Sequence, residues 1–228
     1  MPVSAPALTV TAPDARPPFR YIAIEGAIGA GKTALAAGLA QRWSMQTLLD
    51  EPAGNPFLER FYRDAARYGL ATQLHFALQR AAQSRRIAGL LAAHTPLVTD
   101  FLAQKNDLFA RLALPDDEWQ LYRALSAQFA ADAPPPELVV YLQASPEVLF
   151  ARIQKRAALA ELPITDAYLR SLSDSYNEFF YHYDRAPVLT VSAEHLDSLD
   201  SGADLALVAE RIETMRGRRE SFVKGTSR

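Results

Sequence analysis

Two patterns of apolar residues alternate along the chain. Short runs rich in apolar and β-branched residues occur at 21–24, 46–49, 96–99, 138–142 and 187–191. Runs of that length, bounded by turn residues, predict strands buried on both faces. Between them, apolar positions recur at i, i+3 and i+4, which predicts helices over 32–43, 55–67, 71–93, 106–112, 116–130, 164–184 and 203–216. Another helix opens at Ser145-Pro146-Glu147, with Ser as N-cap, Pro at the first helical position and Glu in the first turn. Pro134-Pro135-Pro136 forces a break before the fourth strand. The alternation predicts an α/β protein, a three-layer sandwich with a five-stranded parallel sheet flanked by helices. One domain is expected over 19–215, with a disordered Pro/Ala-rich tail at 1–18 and a basic, flexible tail at 216–228.

Composition narrows the class. The chain has 228 residues, which favours one domain at roughly 100–200 residues per domain. Lys and Arg number 24 against 26 Asp and Glu, so net charge gives no support for a nucleic-acid polymer as partner. No cysteine occurs, which excludes disulfides, thiolate metal sites and cysteine nucleophiles and fits a reducing, cytoplasmic setting. No apolar run is long enough to span a bilayer, and the N-terminus lacks a basic start followed by an apolar core, so no membrane partner is expected. The histidines at 75, 94, 182 and 195 show no metal-ligand spacing.

Gly26-Ala27-Ile28-Gly29-Ala30-Gly31-Lys32-Thr33 satisfies G-x-x-x-x-G-K-[ST], after a predicted strand and at the start of a predicted helix. Glycines let the backbone N–H groups turn inward around phosphate, and the helix N-terminus adds partial positive charge. Lys32 is expected to reach the β- and γ-phosphates, and the Thr33 hydroxyl to ligate Mg²⁺. The glycine order differs from the dinucleotide fingerprint, so a nucleoside triphosphate is expected rather than a nicotinamide.

Other residues carry chemistry by position. Glu51 follows the second strand, and ligands in open α/β sheets gather at strand carboxyl ends. A carboxylate there can take a proton from a hydroxyl, with Asp50 as the neighbouring alternative. Asp100, at the end of the third strand, suits Mg²⁺ or its waters. Gln73 and Arg80 are seven apart, on one helical stripe. Arg152 and Arg156 are four apart, on one face. Taken alone, these residues also fit a solvated loop acid and the polar sides of amphipathic helices.

The segments YIAIEGAIGAGKT, DEPAGNPFLERFYRD, LATQLHFALQR, DLFA, LVVYLQASPEVLFARIQKR and YNEFFYHY stand in the order and spacing of a known family. From 21 to 191 the chain resembles the deoxyribonucleoside kinases, in particular bacterial deoxyadenosine/deoxyguanosine kinase-like members. The resemblance implies a P-loop kinase with an Arg-bearing lid, usually a homodimer. Its implied reaction is transfer of the ATP γ-phosphate, with Mg²⁺, to the 5′-OH of a deoxynucleoside, purines favoured. It implies Glu51 as general base, Tyr62 on the sugar 3′-OH, Gln73 reading the base and Arg80 near the 5′-OH. It likewise implies Phe109 stacking on the base, Arg152 and Arg156 clamping the transferring phosphoryl group, and Glu161 on the 3′-OH.

Two positions depart from the family pattern. Thr99-Asp100-Phe101 lacks the Arg of an acidic-Arg-Ser element, with Lys105 the nearby replacement charge, and Ala157-Ala158 stands where Gly-Arg is usual. Each missing charge-assisted contact costs on the order of a hundredfold in rate. Two alternatives stay open at this point: a thymidylate-like monophosphate kinase, and a nucleotide-binding partner protein with weak catalysis.

Overall fold

The computed structural model describes residues 19–156 and 163–225. The chain runs β1 (Tyr21–Gly26), α1 (Lys32–Trp43), β2 (Gln46–Leu48), a 3₁₀ turn (Pro52–Gly54), α2 (Leu58–Arg63), α3 (Ala65–Ala92) and β3 (Leu97–Thr99). It continues with α4 (Lys105–Ala113), α5 (Asp116–Phe129), β4 (Leu138–Gln143), α6 (Pro146–Arg156), α7 (Asp166–His182), β5 (Val188–Ser192), α8 (Gly202–Thr214) and β6 (Arg219–Phe222). All strands are parallel, in the order β2-β3-β1-β4-β5-β6.

The sheet therefore has six strands, not the expected five. β6 pairs with β5 from Val188↔Arg219 to Val191↔Phe222, inside the stretch read from sequence as a flexible basic tail. An edge strand needs no continuous apolar run, and its residues alternate between exposed and half-buried, so composition concealed it. A second difference lies at α2 and α3. The expected break between two helices near residue 69 falls instead at Asp64, whose carboxylate accepts from Arg67 N (3.2 Å) and caps α3. The proposed tail at 1–18 and Ala157-Ala158 lie outside the described residues.

β1 is buried along its whole length, and Leu138–Leu142 of β4 likewise. Each fully buried Ile or Leu contributes about 1.5–3 kcal/mol. α7 closes one face through Tyr176 and Phe180, with Phe180 stacked on Tyr141 at 4.2 Å. Because the strands run one way, the ends of β1, β2 and β3 share one edge of the sheet. Their registers place Gly26, Leu48 and Thr99 there. β1 lies between β3 and β4, where the winding reverses, which is where α/β sheets open a crevice. No helix of the described residues is long and apolar enough to cross a membrane.

Candidate active site

The loop from β1 to α1 has the backbone that its sequence requires. Gly26, Gly29 and Gly31 have φ of 154°, 86° and 99°, a region that L side chains avoid. At Gly26 a Cβ would also lie 2.4 Å from Leu142 O, so this position admits nothing larger. Lys32 Nζ donates to Gly26 O (2.8 Å) and Ala27 O (3.0 Å), holding its charge at the mouth of the loop. Burial, and then the Lys105 ammonium, lowers the Lys32 pKa to about 8.

The two residues expected to meet a metal come together. Thr33 Oγ1 donates to Asp100 Oδ2 (2.5 Å), and Asp50 N donates to Asp100 Oδ1 (2.6 Å). A hydroxyl and a carboxylate are the hard oxygen donors that Mg²⁺ takes, and the described residues hold no cluster of three His, Asp or Glu that would cage a metal without phosphate.

Beside them sits a buried charge network. Asp50 receives Arg80 Nη2 on Oδ1 (3.1 Å) and Lys105 Nζ on Oδ2 (2.9 Å). Burial alone would raise the Asp50 pKa, but Lys105 and Arg80 outweigh it and hold the carboxyl well below the usual range. Lys105 rises in turn, because Asp50 overrides its own burial. Arg80 Nη1 donates to Gln83 Oε1 (2.7 Å) and Nε to Asn106 Oδ1 (3.5 Å), and the guanidinium lies 3.8 Å over the Phe101 ring. Phe101 thus packs its ring against the Arg80 guanidinium.

A cleft opens from this network between α2, α3, α4 and α7. Tyr62, Gln73, Phe109 and Arg156 line it, as the resemblance implies, together with Phe61 and Tyr168. Tyr62 packs between Phe61 (5.3 Å) and Tyr168 (6.0 Å). Gln73 and Arg80 are 2% and 5% exposed, which removes the reading of them as a solvated helix face. Gln73 Oε1 is buried with no hydrogen-bond partner among the described residues.

Two expected residues are placed differently, and a third is not described. Glu51 is exposed at the rim and not among the cleft lining, because the backbone turns into the 3₁₀ segment there; its carbonyl accepts from Gln79 Nε2 (3.1 Å). Arg152 does not reach the cleft. Its Nη2 donates to Ala193 O (2.7 Å) and Leu196 O (2.9 Å), one helical turn before Arg156 and on the β5 side of α6. Glu161 lies outside the described residues.

Sequence reading missed Glu25. It is the last residue but one of β1, is 1% exposed, and accepts from Gly26 N (3.0 Å), Tyr176 Oη (2.9 Å) and Leu102 N (2.8 Å). It ties the phosphate loop to the segment after β3 and to α7. The signal was present: an acid at the end of an apolar strand demands partners. Behind the phosphate loop a groove runs between Ala34 of α1, Arg156 of α6 and the segment 196–200. It also went unread, since nothing in that segment has periodicity.

Comparison with known proteins identifies the family and the fold. The sequence model of the family described as deoxynucleoside kinase matches residues 22–215. A deoxyguanosine kinase of Bacillus subtilis is 28% identical over 200 residues, covering 86% of this chain and 97% of the relative. A deoxyadenosine kinase of Dictyostelium discoideum is 30% identical over 178 residues, covering 75% and 71%. The fold matches deoxyadenosine kinase from M. mycoides with bound dATP at a TM-score of 0.74 and 22% identity, over 85% of this chain and 99% of that one.

Proposed function

This chain belongs to the deoxynucleoside kinase family, whose activity is ATP-dependent phosphorylation of deoxynucleosides, and we propose that its preferred acceptors are purine deoxynucleosides. The observation that carries a nucleoside in the cleft is the buried Gln73 Oε1, without a partner among the described residues, in an aromatic cleft beside the phosphate loop. A base edge offering a donor would satisfy it, and burying it unsatisfied costs about 1–3 kcal/mol. The names of the relatives, deoxyguanosine and deoxyadenosine kinases, support the purine preference.

The residues divide the work as follows. The loop N–H groups and Lys32 hold the nucleotide phosphates. Thr33 and Asp100 would hold Mg²⁺, which supplies charge neutralisation at the β- and γ-phosphates. Glu51 takes the proton from the 5′-OH as the new O5′–P bond forms and the bond from the γ-phosphorus to the departing ADP oxygen breaks. Asp50 is a poor base, because Arg80 and Lys105 occupy both of its oxygens. Lys105 provides the positive charge that Phe101 cannot. Arg156 lines both cleft and groove, and so sits where the phosphoryl group passes from one to the other. Tyr62 meets the sugar and Phe109 the base, while Arg152 braces the groove instead of clamping phosphate. A homodimer fits the exposed Leu78 of α3 and Leu121 and Leu125 of α5, on two helices that pack together.

A monophosphate kinase is not favoured. The family model and the matching relatives are those of deoxynucleoside kinases, whose acceptor carries no phosphate. The test is transfer of labelled phosphate from ATP to deoxyadenosine, deoxyguanosine, deoxycytidine, thymidine and their monophosphates, with Lys32→Ala as blank. Product from the purine deoxynucleosides is expected. Product only from pyrimidines or from monophosphates would overturn the acceptor assignment.

A further inference from the structure

The stretch after residue 215 lies beyond the family match, yet it reaches the segment that walls the groove behind the phosphate loop. Past β6, Lys224 Nζ donates to Asp204 Oδ1 (2.7 Å) and His195 O (3.1 Å). Asp204 stands in the first turn of α8, and its other oxygen accepts from Asp197 N (2.9 Å) and Ser198 N (3.4 Å). Asp197 belongs to the segment between β5 and α8, which forms one wall of the groove.

That segment has no helix or strand of its own, so fastenings from other elements set its position. Arg152 holds the carbonyls of Ala193 and Leu196. Glu194 accepts from Ser145 N and from Ser145 Oγ. The far end presses on α1, where a Cβ at Gly38 would come within 2.8 Å of Asp200 O. Lys224 fastens the middle from beyond the family match, through Asp204 and directly on His195 O.

The groove is where a triphosphate would place its nucleoside. The acceptor cleft lies on the Lys32 and Thr33 side of the phosphate loop, and the groove on the Ala30 and Gly31 side. A nucleotide whose γ-phosphate faces the cleft must leave by the groove. We infer that Lys224 is a positioning residue for the phosphate donor: through Asp204 it fixes the segment that the donor's ribose and base meet. The inference rests on reading the groove as the donor's site.

Lys224→Met keeps the aliphatic stem and removes the charge. The KM for ATP is expected to rise about five- to tenfold, as for loss of a partly exposed charge-assisted hydrogen bond. The kcat and the KM for the deoxynucleoside stay within about twofold, since the cleft and phosphate loop are untouched. Lys224→Arg restores the ATP KM. Asp204→Asn repeats the ATP effect, and the double variant is no worse than the weaker single one. An unchanged ATP KM, an equal rise in both KM values, or no rescue by Arg overturns the inference. Ala34→Phe, which fills the groove, separates the two layers. If it leaves the ATP KM unchanged, the groove reading falls and this inference with it. If it raises that KM while Lys224→Met does not, Lys224 alone loses its role.

Discussion

Replacing Lys105 by Met tests the charge network directly. Lys105 and Asp50 are 14% and 13% exposed at 2.9 Å, so the pair is largely desolvated. Removing one partner of a buried pair costs about 3–5 kcal/mol when the survivor is left bare. Asp50 keeps Arg80 on its other oxygen, which brings the expected loss to about 2–3 kcal/mol. For a chain of this size that is a fall in Tm of about 4–12 °C. A second readout moves the other way. Lys105 is the like charge that adds to burial in lowering Lys32. Lys32 lies at about 8 in the fold against 10.5 in the open chain, so the unfolded state binds more protons between these values. Stability therefore rises with pH across that window, while ATP binding, which needs the ammonium, weakens above about 8. In the variant the alkaline limb of kcat/KM for ATP shifts upward as Tm drops, and kcat falls about 10- to 100-fold for want of the cation. Thermal melts and pH profiles of both proteins give the answer. An unmoved Tm together with an unmoved alkaline limb would refute the network argument.

Gln73→Leu should raise the deoxynucleoside KM by about 10- to 100-fold without lowering Tm, because it removes an acceptor that has no partner among the described residues; steady-state kinetics and a melt decide it. Gly26→Ala should cost at least about 2 kcal/mol and abolish ATP binding, since its Cβ would meet Leu142 O at 2.4 Å and φ is 154°; urea denaturation and nucleotide titration measure both. Chelation of divalent metal should abolish turnover yet leave the melt of the nucleotide-free chain unchanged, because no cluster of three acids or histidines exists among the described residues.

What was legible in the chain followed from local rules. The phosphate loop announced itself because its glycines answer to backbone geometry, which sequence alone specifies. The helix at 32–43 was found to the residue because Gly31 opens it in a left-handed conformation and Ala and Leu fill its buried face. Thr33 and Asp100 were both expected at the metal because Thr33 ends the phosphate-loop motif at the start of α1 and Asp100 follows β3, and the fold brings them together. β6 was invisible because an exposed edge strand obeys its neighbour and not its own composition. Arg152 misled for a related reason. Spacing places it on one face with Arg156, but side-chain reach and the carbonyls of the segment after β5 decide where its guanidinium goes. Asp50 and Glu51 are adjacent acids, and only tertiary structure could say which is occupied.

That adjacency permits a clean separation of roles. Asp50 is held by its contacts: Arg80 and Lys105 each take one of its oxygens and keep the carboxyl well below the usual range, which makes it a weak base. Glu51 is exposed, with no ion-pair partner among the described residues, one residue away. If Glu51 is the base, Glu51→Gln removes proton transfer alone. Turnover then falls about 10²–10⁴-fold, while Tm and deoxynucleoside binding hold. Asp50→Asn strands two buried cations beside Lys32, so Tm falls by several degrees before any kinetic effect is read. The two variants are distinguishable by the melt, and the kinetics then assign the base. A stable Glu51→Gln enzyme with wild-type turnover would shift the proton to another acceptor, a γ-phosphate oxygen of the donor or one of the cleft carboxylates Asp50 and Asp100.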